Sequence, residues 1–315
     1  MEIYIQNRGN YQELLEISQW AEGGGIKRIG VPDHYIIGEQ RENLSKTVPA
    51  LDLFTAVAGL IRETQSIAFA TLVSPITFRH PAVIAKMAST INNMGPKRFS
   101  LGIGTGWLEV EHSTFGFDFP TLSTRFEMLE EALIYVKEVL SGNNNGFEGK
   151  YYQLEKFPIE PVSSGDVKII VGGGGLKKTP TLAGKYADEY NIYAAPEGGL
   201  SKRIQTFSQV AEENGRNISD IEISTACPPV VAMTYKSLDK SLIRAEESLM
   251  TSKDKIINDW KEKQYLFGLP SEIAEIISMW KNQGISSVYL QLLDTNSGAR
   301  EETYNTIKEA VKLVK

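Results

Sequence analysis

The chain has 315 residues, 42% apolar and 23% charged, which is enough apolar material for a sizeable core. A formal charge of −6 without a basic stripe argues against a nucleic-acid face, while leaving room for a local cationic pocket. Cys227 is the only cysteine, so no intrachain disulfide can form, and no apolar run approaches the roughly 18–20 residues that span a bilayer.

The N-terminal stretch MEIYIQNRGNY has no basic segment followed by an apolar one, so no leader is read here and a cytoplasmic protein is expected. EIYIQ (2–6) alternates as a strand, and YQELLEISQWAE (11–22) places Leu14, Leu15, Ile17 and Trp20 at helical spacing before GGG (23–25) stops it. IKRIGVPD (26–33) is a second strand, 50–63 a helix and SIAFATLVS (66–74) a third strand. A helix over 80–94 opens at His80-Pro81, where the missing N–H of proline costs nothing, and RFSLGIG (98–104) is a fourth strand. Residues 125–140 form the strongest helical pattern.

The stretch 141–166 is rich in glycine and asparagine and reads as an inserted loop or hairpin whose aromatics at 147, 151, 152 and 157 need burial. VKIIVGG (167–173), DEYNIYA (188–194), 221–233 and SSVYLQLL (286–293) continue the strands. Helices follow over 176–187, near 198–214, over 271–284 and 301–314, and 236–264 is a long charged helical region. Strand and helix alternate eight times, which predicts a single (β/α)8 TIM barrel with insertions near 141–166 and 236–264; a doubly wound open sheet is the alternative.

A parallel barrel carries its active site at the C-terminal ends of the strands, so those ends hold the candidates. PDHY (32–35) supplies Asp33, able to hold a hydroxyl or orient a neighbour, and His34, able to exchange protons; the bland alternative is a turn beside an exposed histidine. His80 reads as structural. In GTGWLEVEH (104–112), Gly104 and Gly106 permit close backbone approach, Trp107 offers a flat wall, and Glu109, Glu111 and His112 offer proton donors and acceptors. The alternative is a glycine turn leading into a solvated helix. GGGGLKKT (172–179) sets Gly172, Gly173, Gly174 and Gly175 between a buried strand and a helix N-terminus, a combination suited to a phosphate. It matches neither G-x-x-x-x-G-K-[ST] nor G-x-G-x-x-G, and a merely structural turn stays open. TLVSP (71–75) is weak by itself. No H-x-H, H-E-x-x-H or clustered-cysteine pattern supports a metal site, and no G-x-S-x-G elbow occurs.

RFSLGIGTGWLEVEHSTFGFDFPTLSTRFEMLEEAL (98–133) and KIIVGGGGLKKTPTLAGKYADEYNIY (168–193) resemble the two signature stretches of the bacterial luciferase-like flavin and deazaflavin oxidoreductases. PDHY, the RHPA of 79–82 and FGLPSEIAEII (267–277) fit in the same order, so the resemblance runs from about Ile3 to Val314. It implies a barrel whose pocket holds an isoalloxazine or 5-deazaisoalloxazine ring. Asp-His after the second strand, with GTGW and EH, is similar to the subgroup using coenzyme F420. By that resemblance Thr71, Leu72 and Val73 line the ring across a cis peptide at Leu72–Val73, and Gly104, Thr105, Gly106 and Trp107 border it. Gly173 to Gly175 hold the phosphate, with Gly172 and Leu176 also among the cofactor-binding residues, and His34 acts beside the hydride-accepting carbon. Trp107 stands where some relatives carry an acid, and Thr179-Pro180 departs from the usual apolar helix start. Lys177, Lys178, Lys202 and Arg203 are available to meet an acidic coenzyme tail. The expected function is hydride transfer between F420 and a small organic substrate by a homodimer. The alternatives are an FMN-dependent monooxygenase and a cofactor-binding barrel without turnover.

Overall fold

A computed structural model describes residues 1–36, 50–142, 145–163, 165–193, 199–294 and 296–314. Eight strands of the central sheet close the barrel, β1 (Glu2–Gln6), β2 (Arg28–Val31), β3 (Ala68–Thr71), β4 (Phe99–Gly104), β5 (Lys168–Gly172), β6 (Glu189–Tyr193), β7 (Glu222–Cys227) and β8 (Ser287–Gln291), and a ninth short strand, Ser74–Pro75, adds to β4. Each of the eight pairs in parallel with its sequence neighbours. The last returns to the first, with Ile3 opposite Val288 and Ile5 opposite Leu290. The sheet is therefore a closed barrel, and the open-sheet alternative falls because each of the eight strands has two partners.

Strand periodicity explains why these runs look apolar on both sides. Ile3 and Ile5, Phe69, Ile169 and Val171, and Val288 and Leu290 point outward to the helices. Tyr4, Ala70, Ile170, Ala226 and Tyr289 alternate with them and pack together inside the lumen. Burying a side chain of the Leu or Phe class contributes roughly 1.5–3 kcal/mol, so the outer layer between strands and helices carries most of the stabilisation.

The helices lie where periodicity puts them. They include α1 (Tyr11–Gly23), capped by Asn10 and Glu13, α2 (Leu53–Glu63), and α3 (Pro81–Met94), whose N-terminal turn is capped by the His80 ring nitrogen. His80 is thus structural, as expected. A short helix the sequence reading did not separate, α4 (Glu109–Phe115), precedes α5 (Leu122–Ser141). Next come α6 (Lys178–Tyr186) and α7 (Leu200–Glu213). The charged region is two helices, α8 (Tyr235–Leu249) and α9 (Lys253–Glu262), because Met250 turns left-handed (φ 49°) between them. The barrel ends with α10 (Pro270–Asn282) and α11 (Ser297–Leu313).

The insertion is a hairpin pairing Phe147–Glu148 with Gln153–Leu154, its turn held by Glu131 of α5, which accepts the N–H groups of Lys150, Tyr151 and Tyr152. Tyr152 is buried and Phe147 and Tyr151 partly so, but Phe157 is 71% exposed, contrary to the expectation of burial. Among its described residues none lines the cleft at the barrel mouth, whereas Leu249 of α8 does.

Candidate active site

The strand ends enclose a cleft of about 880 Å³, lined by residues from β1, β4, β5, β6, β7 and β8 and by Pro32 and His34, which follow β2. Its floor is shaped by what the glycines make room for. A Cβ at Gly104 or Gly172 would come within 2.8 Å of Val73, and one at Gly102 within 2.0 Å of the Thr71 carbonyl. These positions are bare so that the Thr71–Val73 segment, with Leu72–Val73 cis, can cross the lumen between β4 and β5. Leu72 and Val73 line the cleft. Thr71 does not: it is fully buried, its hydroxyl donating to Gly102 O (2.8 Å) and accepting from Gly102 N (2.6 Å), which bridges β3 to β4.

On one side, His34 follows β2. Its Nδ1 lies 2.9 Å from Glu111 Oε2, so a carboxylate there makes Nδ1 the donor. Glu111 Oε1 accepts the backbone N–H groups of Tyr35 (2.6 Å) and Ile36 (2.9 Å), which fastens the loop after β2 to α4. Glu111 is 1% exposed, whereas His34 lines the cleft with Nε2 unpartnered among the described residues. Trp107, 70% exposed, meets the His34 ring edge-on at 5.9 Å.

His112 also lines the cleft, but both its nitrogens are engaged. Nδ1 donates to Leu108 O (2.9 Å), which leaves Nε2 to accept from the Thr77 hydroxyl (2.7 Å). Phe119 packs on its ring at 4.4 Å. Arg125 borders the same wall, donating to Gly106 O and packing its guanidinium over Phe119.

Asp33 is fully buried and does not line the cleft. It accepts from the Ser74 hydroxyl (2.6 Å) and from Arg79 Nη1 (2.5 Å), while Arg79 Nη2 reaches Asp52 (2.5 Å) and the Tyr35 hydroxyl (2.7 Å). Burial pushes the Asp33 carboxyl above its ordinary range against the pull of Arg79. Arg79 and Ser74 escaped the sequence reading as site-builders. The cue was an arginine just before His80-Pro81, in a segment whose only evident task was to start a helix.

Across the barrel, β5 ends in Gly172–Gly175. The Gly173 N–H donates to Asn191 O (3.2 Å). Among the described residues, the N–H groups of Gly174, Gly175 and Leu176 have no acceptor, and Lys177, at the N-cap of α6, gives it no side-chain cap. Gly174 has nothing within 4 Å of its missing Cβ. Arg203 of α7, 2% exposed, donates through Nε (3.2 Å) and Nη2 (2.7 Å) to Gly174 O, so it tethers the loop from behind instead of waiting at the surface. Leu176 is exposed and lies outside the cleft lining. Lys178 packs over Phe126 and donates to the Ser123 hydroxyl (3.1 Å).

A family model described as luciferase-like monooxygenase matches residues 3–288, nearly the entire barrel. The chain belongs to that family. It is 35% identical over 185 residues to the pyrimidine monooxygenase RutA of Agrobacterium fabrum (strain C58 / ATCC 33970), covering 55% of this chain and 49% of the relative. It is 31% identical over 216 residues to the F420-dependent glucose-6-phosphate dehydrogenase of Mycolicibacterium fortuitum, covering 67% and 62%. These matches therefore span less than two thirds of either relative. Two solved structures superpose along nearly the whole chain. One is an F420-dependent secondary alcohol dehydrogenase in complex with an F420-acetone adduct (TM-score 0.80, 21% identity, 98% of each chain). The other is the EDTA monooxygenase EmoA from Chelativorans sp. BNC1 (TM-score 0.82, 13% identity, 100% of this chain and 94% of that one). Both likenesses establish the fold.

Beneath the cleft lies a second polar cluster absent from the sequence reading. Arg28 donates to Glu189 (2.6 Å) and to the Tyr289 hydroxyl (3.0 Å) across the lumen and rests over Tyr4. Ser224 bridges Glu189 (2.5 Å) to Asn191 (2.8 Å), which lines the cleft. Burial, opposed by Arg28, pushes Glu189 up to about 7. Its signal was available as polar residues at alternating, inward positions of apolar strands. Burial also raises the Cys227 thiol to about 12, which removes the only cysteine from consideration as a nucleophile.

Proposed function

We propose that this protein is an oxidoreductase that transfers a hydride between coenzyme F420 and a small organic substrate. The observation that carries the reading is the pairing of two amide donors without an acceptor among the described residues, at Gly174 and Gly175, with the His34–Glu111 couple on the other side of one cleft. Backbone N–H groups beside an uncapped helix start fit a phosphate monoester or diester. Leu72, Val73 and the Gly104–Trp107 turn, with Thr105 between the glycines, offer an apolar edge for a flat ring. When bound, F420 supplies the hydride-carrying ring carbon.

The remaining work falls to the chain. Glu111 holds the Nδ1–H tautomer of His34, so Nε2 is the nitrogen that takes the proton from a substrate hydroxyl and returns it in the reverse direction. Asp33 acts on this step only by clamping the loop through Arg79, and His112 by buttressing the wall through Thr77 and Leu108. Trp107 borders the substrate side. F420 is favoured by the F420-dependent glucose-6-phosphate dehydrogenase relatives; the match to the monooxygenase RutA supports the second reading, a monooxygenase, for which FMN is the alternative cofactor. Residence in the cytoplasm and assembly as a homodimer complete the proposal, the latter measurable by sedimentation.

Titrating the purified protein with F420 and, separately, with FMN while following cofactor fluorescence tests the assignment. Saturable F420 binding with hydride transfer to or from an alcohol or aldehyde panel is expected. FMN binding alone, with oxygen consumed when the flavin is reduced, would transfer the protein to the second reading. Cofactor binding with no turnover would leave only a carrier.

A further inference from the structure

The end of β1 presents a feature that the proposed hydride site does not use. Four cationic or ionisable nitrogen-bearing residues line the cleft: Arg8, His34, Arg125 and His112. Arg125 is spent on the Gly106 and Pro120 carbonyls, His112 on Thr77 and Leu108, and His34 on Glu111. Among the described residues Arg8 has no ion pair or hydrogen bond. Beside it, Asn7 is 4% exposed, lines the cleft, and its Nδ2 is buried without a partner. A buried amide donor left unmade costs roughly 1–3 kcal/mol, so a group that accepts from it is favoured there. The only carboxylate lining the cleft among the described residues is Glu111, already saturated by His34 and two amides.

Topology separates this feature from the glycine cradle. In the closed barrel β1 and β5 are four strands apart in either direction, so Arg8 and Gly174 face each other across the mouth. An anion held at one is not the anion held at the other. β1 and β2, in contrast, are adjacent, which puts Asn7 and Arg8 next to the loop of His34.

We infer that Asn7 and Arg8 form a substrate subsite that takes a carboxylate or phosphate group of the molecule whose reacting carbon sits beside His34. The guanidinium fork matches two oxygens of such a group, and the Asn7 amide donates to one of them. The inference deepens the proposed function by naming the substrate class, a small organic anion, and depends on it only for the position of the reacting carbon.

Binding measurements decide it without turnover. Titration calorimetry on the purified chain compares benzoate, phenyl phosphate and neutral benzamide, for the wild type, Arg8→Gln and Asn7→Ala. At least one anion should bind about ten-fold more tightly than benzamide, a preference that Arg8→Gln abolishes and Asn7→Ala reduces. The better of the two anions identifies the group. F420 and FMN affinities of Arg8→Gln, read by fluorescence, should stay within about two-fold of wild type, since phosphate is held across the barrel. No anion preference in the wild type, or one that survives Arg8→Gln, overturns the subsite. A cofactor affinity that falls with Arg8→Gln also overturns it, because the charge then serves the cofactor. If neither cofactor binds the wild type the functional proposal fails, while the Arg8-dependent preference still decides the subsite.

Discussion

At the scale of residues, the two histidines after barrel strands part company because of their partners. His34 keeps Nε2 toward the cleft and is oriented by one buried acid; His112 has donated one nitrogen and filled the other. Removing His34 with alanine should therefore lower kcat by about 10²–10⁴-fold while changing cofactor affinity little. Equal losses in both would make it a binding residue. Glu111→Gln tests the orientation: an amide nitrogen facing Nδ1 would flip or rotate the imidazole, so kcat should fall by about ten-fold or more and the pH profile should shift. An unchanged profile would show that the pair is only a loop fastener. Both histidines were legible as strand-end residues. Their division of labour was not, because it depends on Thr77 and on the Leu108 carbonyl, which only folding brings to the ring.

Among elements, the glycines of β4 and β5 answer to a neighbouring strand as much as to a ligand. A methyl at Gly102 would overlap the Thr71 carbonyl, a backbone atom that cannot swing aside. Gly102→Ala should cost about 1–3 kcal/mol or more of unfolding free energy, read by urea titration. Gly174 is the complementary case, with open space where its Cβ would project and no positive φ. Gly174→Ala should leave the melting temperature unchanged and weaken binding of a phosphate-bearing cofactor by about ten-fold. Unimpaired cofactor binding in that variant would mean that the amides of this loop do not hold the phosphate. A reader of GGGGLKKT sees the donors; which of them stay available depends on Asn191 O and Arg203, supplied by β6 and α7.

For the whole molecule, the lumen is divided into an apolar middle, a cleft above and a buried charged cluster near the strand starts. Glu189 is held at about 7, above its ordinary 4.5, chiefly by burial. The folded state thus binds this proton more tightly than the unfolded chain, so its contribution to stability is full below about pH 4.5 and lost as pH rises through about 7. The melting temperature should decline between about pH 5 and 8, and Glu189→Gln should flatten that decline. A decline of equal size in the variant would assign it to other groups.

What the linear order determined was the alternation itself. Eight apolar strands with period-2 partners on both faces, each followed by a helix, leave a closed barrel as the way to bury both sides. Glycine-rich and histidine-bearing strand ends then fall together at one mouth. Tertiary structure alone decided which of those residues face the cleft. Asp33 turned inward to Arg79 because a buried carboxylate needs its cation, and Thr71 to Gly102 because a crossing segment must satisfy its own polar groups. Among the described residues, Arg8 and the Asn7 amide nitrogen remained with donors unclaimed. Side-chain pairing across the barrel joins positions more than a hundred residues apart, as Arg28 and Glu189 show. No local pattern encodes such a distance.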